Sequence, residues 1–309
     1  MKSNKMNKNR GRSLKKLRRS WGCYLFGLPM MIYVLLFSYL PMYGIQLAFK
    51  DYRVADGIWG SAWVGLKHFK TFFESYQFTN LVWNTLALSL YSLIAEFPLP
   101  ILFALFLNYI SSKKLKKFSQ MVTYAPHFIS TVVFCGMILI FLASDGIINQ
   151  ILMILGIDPV NFLSNPANFR HIYVWSGVLK GIGWGSIMYI SVLTSVGPEL
   201  HEAATVDGAT RFQRMLFIDI PSIIPTMVIM LIMRTGEIMD VGFEKVFLLQ
   251  NNINLDYSEI ISTYVYKVGI QGGQFSYSAA ISVFNNVINL LLLLAVNTIA
   301  RRTSENSLW

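Results

Sequence analysis

Charged residues are scarce in this chain. They make up 14% of its 309 residues, against 54% hydrophobic, where an ordinary soluble domain carries about 25% charged residues. Too few polar side chains remain to cover a solvated surface, and the apolar runs are too long for a single core helix. The composition therefore argues against a soluble domain and for a membrane protein. Cysteine is nearly absent. Cys23 and Cys135 lie in apolar runs and read as small buried hydrophobes. No CxxC pair or Cys/His cluster offers a metal or redox site, and His68, His127, His171 and His201 are dispersed. The phosphate-cradling pattern GxxxxGK[ST] is missing as well. The glycine-rich Gly181–Gly185 sits inside an apolar run, where glycine serves close helix packing. No catalytic constellation and no nucleotide site are expected here, and no bound cofactor.

The charge that is present is placed unevenly. The formal net charge is +10, but nine of the 26 Lys and Arg fall in the first 20 residues and four more in Lys113–Lys117. That is loop charge beside apolar spans rather than a basic stripe on a domain face, so nucleic acid is not an expected partner. The apolar runs predict six spans, at roughly 21–48, 79–110, 119–142, 171–194, 222–242 and 275–300. The first is expected to be retained: its run is too long for a signal peptide, contains Pro29 and Pro41, and lacks a small-residue cleavage pattern. Pro98 and Pro100 permit a bend in the second span, and Pro126 either kinks the third or breaks it. Gly177, Gly181, Gly183 and Gly185 let the fourth approach a neighbour closely. The short apolar stretch Ile147–Leu155 reads as an interfacial or cap helix.

Six crossings put both termini on one side. With the 1–20 tail inside, 17 Lys and Arg lie inside and seven outside, the asymmetry of a cytoplasmic tail. The chain then divides into a basic cytoplasmic tail (1–20), an extra N-terminal helix with an external loop (21–78), a core (79–300) with a cytoplasmic loop at 198–221, and a cytoplasmic C-terminal tail (301–309).

The stretch Glu199–Pro225, ELHEAATVDGATRFQRMLFIDIPSIIP, interrupts two apolar blocks with polar, small and charged residues. It predicts a helix over Pro198–Val206, with Pro198 in its first turn and Glu199 and Glu202 near the positive end of the dipole. Asp207 and Gly208 turn the chain, Asp207 capping a second helix from Ala209 to about Phe217, and Pro221 marks the start of the fifth span.

Glu202-Ala203-Ala204, Gly208, Ile218 and Pro221 at this spacing resemble the signature loop of ABC-importer permeases. The fuller string resembles its version in binding-protein-dependent carbohydrate importers, with Ile220 where that family often has Leu. Asn84-Thr85 resembles the start of the shared permease core, so the likeness runs from about Asn84 to Ala300. Val241–Leu249 (VGFEKVFLL) and Ile261–Tyr266 (ISTYVY) resemble the branch associated with complex oligosaccharides and polysaccharide fragments.

The resemblance implies an all-α polytopic membrane protein, the six-helix type I ABC importer permease bundle with a cytoplasmic coupling helix, in the bacterial cell membrane. It implies a homologous second permease subunit, two cytoplasmic ATPase subunits that carry ATP and Mg, an extracytoplasmic solute-binding protein, and an oligosaccharide substrate, neutral or acidic. It also implies that Glu202, Ala203, Ala204, Asp207, Gly208, Ala209 and Pro221 couple the chain to the ATPase.

Ionisable groups inside spans are costly and default to functional hypotheses; here they are Glu96, Lys180, Arg234, Glu237 and Asp240. Lys180 and Arg234 either snorkel toward span ends or line the substrate path. Arg234 and Glu237, three apart on one helical face, can pair. Trp184, Tyr189, Phe243 and Tyr264 would supply aromatic platforms for sugar rings. Two other readings stay open: an ABC permease for a peptide, polyamine or phosphate compound, and a secondary transporter or membrane enzyme. Against the latter stand the lack of an internal repeat and of paired carboxylates.

Overall fold

In a hydrocarbon environment each backbone amide must find its partner within its own segment, so long apolar runs become helices. The computed structural model describes residues 21–303 and follows that rule almost throughout. The basic 1–20 tail and residues 304–309 lie outside the described residues.

Helix α1 (Trp21–Val34) continues through a wide i→i+5 turn at Leu35–Tyr39, a short piece at Leu40–Met42 and a 3-10 turn at Tyr43–Phe49. No residue from Leu35 to Met42 is buried, so this apolar segment projects away from the bundle. A two-residue antiparallel pair, β1 (Lys50–Asp51) with β2 (Ala62–Trp63), closes the following loop. Helix α2 (Lys67–Phe73) places Phe72 and Phe73 against Phe78 and Phe284 at ring separations of 5.0–5.6 Å.

The second span is a pair of stacked helices, α3 (Phe78–Glu96) and α4 (Pro98–Asn108), joined at the first of two prolines. The third departs from expectation at its start and takes one of the two expected forms at Pro126. Lys113–Lys117 is not a loop but the opening of helix α5 (Lys113–Tyr124), because Ser112 caps it by accepting from the Leu115 amide at 3.3 Å. The span is also broken rather than kinked. A 3-10 turn at Ala125–Phe128 follows Pro126, Ser130 caps a new helix α6 (Thr131–Phe141), and the two halves meet at 103°. Helix α7 (Ile147–Ile154) is the expected short apolar helix.

Helix α8 (Asn168–Ser195) is the central member, packing on α3, α4 and α5. Its glycines explain how. A methyl at Gly183 would run into the Thr123 carbonyl of α5, one at Gly185 would lie 3.2 Å from Pro100, and one at Gly177 would strike the Glu96 carboxylate. Gly181 is different: among the described residues nothing lies within 4 Å of its missing side chain, so it makes no close approach to them.

Beyond α8 come α9 (Pro198–Val206), α10 (Arg211–Arg214), α11 (Ile220–Gly236), α12 (Phe243–Leu249), α13 (Leu255–Ser258), α14 (Ile261–Val265) and α15 (Phe275–Thr303). The last helix runs past Ala300, through Arg301 and Arg302.

Among the described residues, four helices are long and apolar enough to cross a membrane: Tyr24–Phe49, Phe78–Asn108, Arg211–Gly236 and Phe275–Arg302. The bent pair α5 and α6 makes up to five. The expected six are therefore not all apolar helices of full length. Helix α8, with 28 residues, has the length, but Arg170, Lys180 and its glycines dilute its apolar character. The protein is an all-α, multi-pass membrane protein.

Asn84 and Thr85 show how α3 is tied to the segment beyond α12. Both are fully buried. The Asn84 amide donates to the carbonyls of Asp256 (2.8 Å) and Glu259 (3.1 Å) and accepts from Arg170 (2.7 Å), while the Thr85 hydroxyl accepts from the Ile261 amide at 3.0 Å. Two short polar side chains thus satisfy backbone groups that no regular element reaches.

Candidate functional site

Two regions merit description, a polar loop between α8 and α11 and a cleft among α3, α4, α8 and α11. The loop begins as expected, with Pro198 in the first turn of α9 and Glu199 beside it. The turn after α9 is a Schellman motif. The Ala209 amide donates to Ala204 O at 2.8 Å and the Gly208 amide to Thr205 O at 3.1 Å, with Gly208 in the left-handed region at φ +80°.

Asp207 belongs to the end of α9 and does not cap the next helix. That role falls to Thr210, whose hydroxyl accepts from the Gln213 amide at 3.3 Å while the Gln213 side chain accepts from the Thr210 amide at 2.8 Å. Nor does Pro221 mark where the span begins. The chain is continuously helical from Arg211 to Gly236. A proline there lacks an amide and crowds the carbonyl four residues earlier, and a wide i→i+5 turn over Met215–Asp219, just before Pro221, absorbs both effects. The Ser222 hydroxyl donates to the Ile218 carbonyl at 2.7 Å.

Glu202, Ala203, Asp207 and Gly208 are exposed, and Ala204 and Ala209 half-buried. Around them the loop exposes Leu200, Val206 and Phe212, Val206 at 88%. These apolar side chains were not singled out from the sequence, although an apolar residue in a polar loop is a readable signal.

Behind this face lies Asp219, which the sequence places within the loop's motif but to which it assigns no role. Asp219 is fully buried. It accepts from the Tyr109 hydroxyl at 2.5 Å and, more weakly, from Asn108 at 3.5 Å, and His201 Nε2 lies 3.4 Å from its carboxylate. Burial first, then the hydrogen bond and charge of Asp219, push the Tyr109 phenol up, so its hydroxyl keeps its proton and donates. A second tie joins α9 to α10: Arg214 donates to the Thr205 hydroxyl at 2.7 Å, and that hydroxyl donates to the His201 carbonyl at 2.6 Å.

The cleft has a cavity volume of ≈ 180 Å³ and gathers Trp184, Tyr189 and Arg234 with Glu96 and Pro100. Trp184 is half-exposed, stacked on His127 at 4.2 Å and met edge-on by Phe128. Arg234 pairs with Glu96 of α3 at 3.9 Å, and no pairing with Glu237 occurs among the described residues. The expected neighbour was close in sequence, but the helix carries Arg234 toward the interhelical carboxylate. Glu237 lines an adjoining cavity with Ser89, Ser92 and Asp240.

The other candidates are elsewhere. Lys180 turns to α6, donating to the Thr131 hydroxyl at 3.3 Å with its ammonium 5.3 Å from the Phe134 ring. Phe243 stacks with Phe247 and Tyr266 beside a separate cavity, and Tyr264 packs in the cluster around Phe72 and Ile281. Lys245 was not anticipated. Its ammonium donates to the Tyr173 carbonyl at 2.5 Å and lies 4.3 Å from that ring.

Residues 97–305 match the protein family described as the binding-protein-dependent transport system inner membrane component. The chain belongs to this family. The match starts thirteen residues after Asn84, the point at which the likeness was expected to begin. Chains in this family are non-catalytic membrane components that work within a multi-subunit ABC importer.

Among curated relatives, the chain is 42% identical over 301 residues to the Polygalacturonan/rhamnogalacturonan transport system permease protein YteP of Bacillus subtilis, covering 97% of this chain and 94% of the relative. It is 39% identical to Protein LplB of the same organism, covering 95% and 92%. Among solved structures it resembles a chain of a bacterial ABC transporter involved in the import of the acidic polysaccharide alginate. There the TM-score is 0.88 and the identity 41%, over 94% of this chain and 99% of that one.

Proposed function

We propose that this chain is the translocating subunit of an ATP-driven importer for a uronate-bearing oligosaccharide, delivered by an extracytoplasmic binding protein. The observation that carries the reading is the pair of near-full-length likenesses, at 42% and 41% identity, to a permease named for polygalacturonan and to an alginate importer. Both names describe polymers of sugar acids. The bundle has six crossings, with α5 and α6 as the third and α8 as the fourth. The loop at 198–221 and both termini lie in the cytoplasm, on the side that holds 17 of the Lys and Arg.

In that orientation Glu202, Ala203, Asp207 and Gly208, with Leu200, Val206 and Phe212, form the face that seats on an ATPase subunit. Ala204 and Ala209 back it, and Pro221 acts through the helix geometry. A homologous permease completes the path, and two ATPase subunits supply ATP hydrolysis. Closure of that pair moves the loop and, with it, the helices around the cleft. Within the cleft the Trp184 ring offers a plane for a sugar ring, and Arg234 offers a cation that a uronate carboxylate can take over from Glu96.

The test is uptake by the complex in proteoliposomes, supplied with ATP and the binding protein. Arg234→Gln should lower import of a uronate oligosaccharide about tenfold and spare a neutral oligosaccharide of equal length. Lys180→Gln should spare both, since that ammonium turns away from the cleft. Equal losses of acidic and neutral substrates in Arg234→Gln reject charge selection, and no ATP-dependent uptake in the wild type rejects the importer reading itself.

A further inference from the structure

We propose that Asp219 is a positioning residue that clasps α9 to the end of α4, so that a push on the loop reaches two membrane helices together. The inference rests on the importer reading above and concerns a position within the loop's motif that has no assigned role.

The argument starts from energetics. A fully buried carboxylate is less favourable than an aliphatic side chain of similar size, so packing alone does not account for Asp219. Its partners do. Tyr109 and Asn108 come from the end of α4 and His201 from α9, while Asp219 itself stands at the foot of α11. Three elements, one of them distant in sequence from the other two, therefore meet on one carboxylate. The Arg214–Thr205 contact ties α9 only to the helical rod that already includes α11. The Asp219 clasp extends the connection to α4, whose Pro100 lines the central cleft and which packs along α8. The loop and the cleft wall are thereby joined through a contact that one carboxylate maintains.

The complex is reconstituted with its second permease, ATPase subunits and binding protein, and ATP hydrolysed per sugar imported is measured for the wild type, Tyr109→Phe, Asp219→Asn and the double variant. Asp219→Asn keeps the shape and removes the charge. It should raise ATP used per sugar about tenfold, the effect of weakening hydrogen bonds to a charged group. Tyr109→Phe should raise the ratio less, and the double variant no further than Asp219→Asn, because both act through one contact. A purely structural role lowers assembly, uptake and hydrolysis together and leaves the ratio at its wild-type value, which overturns the proposal. Where Asp219→Asn does not assemble, Tyr109→Phe, which removes a single hydroxyl, decides by the same ratio. A wild-type complex that imports nothing with ATP overturns the importer reading and not the clasp geometry.

Discussion

Gly208 allows two explanations of the loop to be separated by one set of substitutions. Its φ of +80° is a conformation that L-residues adopt at a penalty of about 1–2 kcal/mol. None of the described residues lies within 4 Å of where its side chain would be. Within the subunit, then, the whole effect of Gly208→Ala is backbone strain on the Schellman turn. A loss of 1–2 kcal/mol multiplies the open population of that turn roughly 5–30-fold. The observable is amide hydrogen exchange at Gly208 and Ala209, whose bonds to Thr205 and Ala204 report the turn directly.

Gly208→Ala should speed exchange there by that factor. Gly208→Asn should change it little, because asparagine tolerates the left-handed region. ATP-driven uptake then tests the partner. If the ATPase needs the space as well as the turn, Gly208→Asn keeps exchange near wild type yet still uncouples hydrolysis from uptake, and a bulky Gly208→Val loses both. Unchanged exchange in Gly208→Ala would refute the strain argument, and normal transport by Gly208→Val would refute the seating role.

The close crossing of α8 and α5 predicts that Gly183→Ala, whose methyl would lie 2.5 Å from the Thr123 carbonyl carbon, forces the helices apart and lowers stability by about 1–3 kcal/mol. Gly181→Ala, with open space at that position, should not lower the thermal midpoint of the detergent-solubilised protein; equal midpoints for the two variants would contradict the packing account. Asn84→Leu removes two bonds to the Asp256 and Glu259 carbonyls and leaves Arg170 without its 2.7 Å partner. The expected loss is about 3 kcal/mol, read as faster proteolysis of segment 250–260 with α15 still protected, and uniform susceptibility would refute it.

Much of this architecture could be read in advance because a membrane imposes few solutions. Apolar run length located the four long apolar helices, and Pro198, Gly208 and the small residues between them located α9 and its turn. Where the reading went astray, short-range chemistry had outweighed composition. Ser112 starts a helix where the lysines had suggested a loop. The wide turn at Met215–Asp219 lets a proline sit in an unbroken helix.

The site was harder to foresee for a different reason. Arg234 finds its counter-charge on Glu96 and Asp219 its donor on Tyr109, both more than a hundred residues away. No local spacing encodes such pairs. Trp184, Tyr189 and Arg234 share one face of the cleft because α8 and α11 are neighbours, whereas Lys180 and Phe243, equally plausible as residue types, face other partners.

The unbroken helix from Arg211 to Gly236 has a geometric corollary. At 1.5 Å per residue its 26 residues make a strut of roughly 39 Å. Pivoted near its middle, such a strut converts a tilt of about 10° into a displacement of about 3 Å at each tip, in opposite directions. Arg234 rides close to the far tip, so a small tug at Arg211 is enough to move that guanidinium by the width of an ion-pair gap.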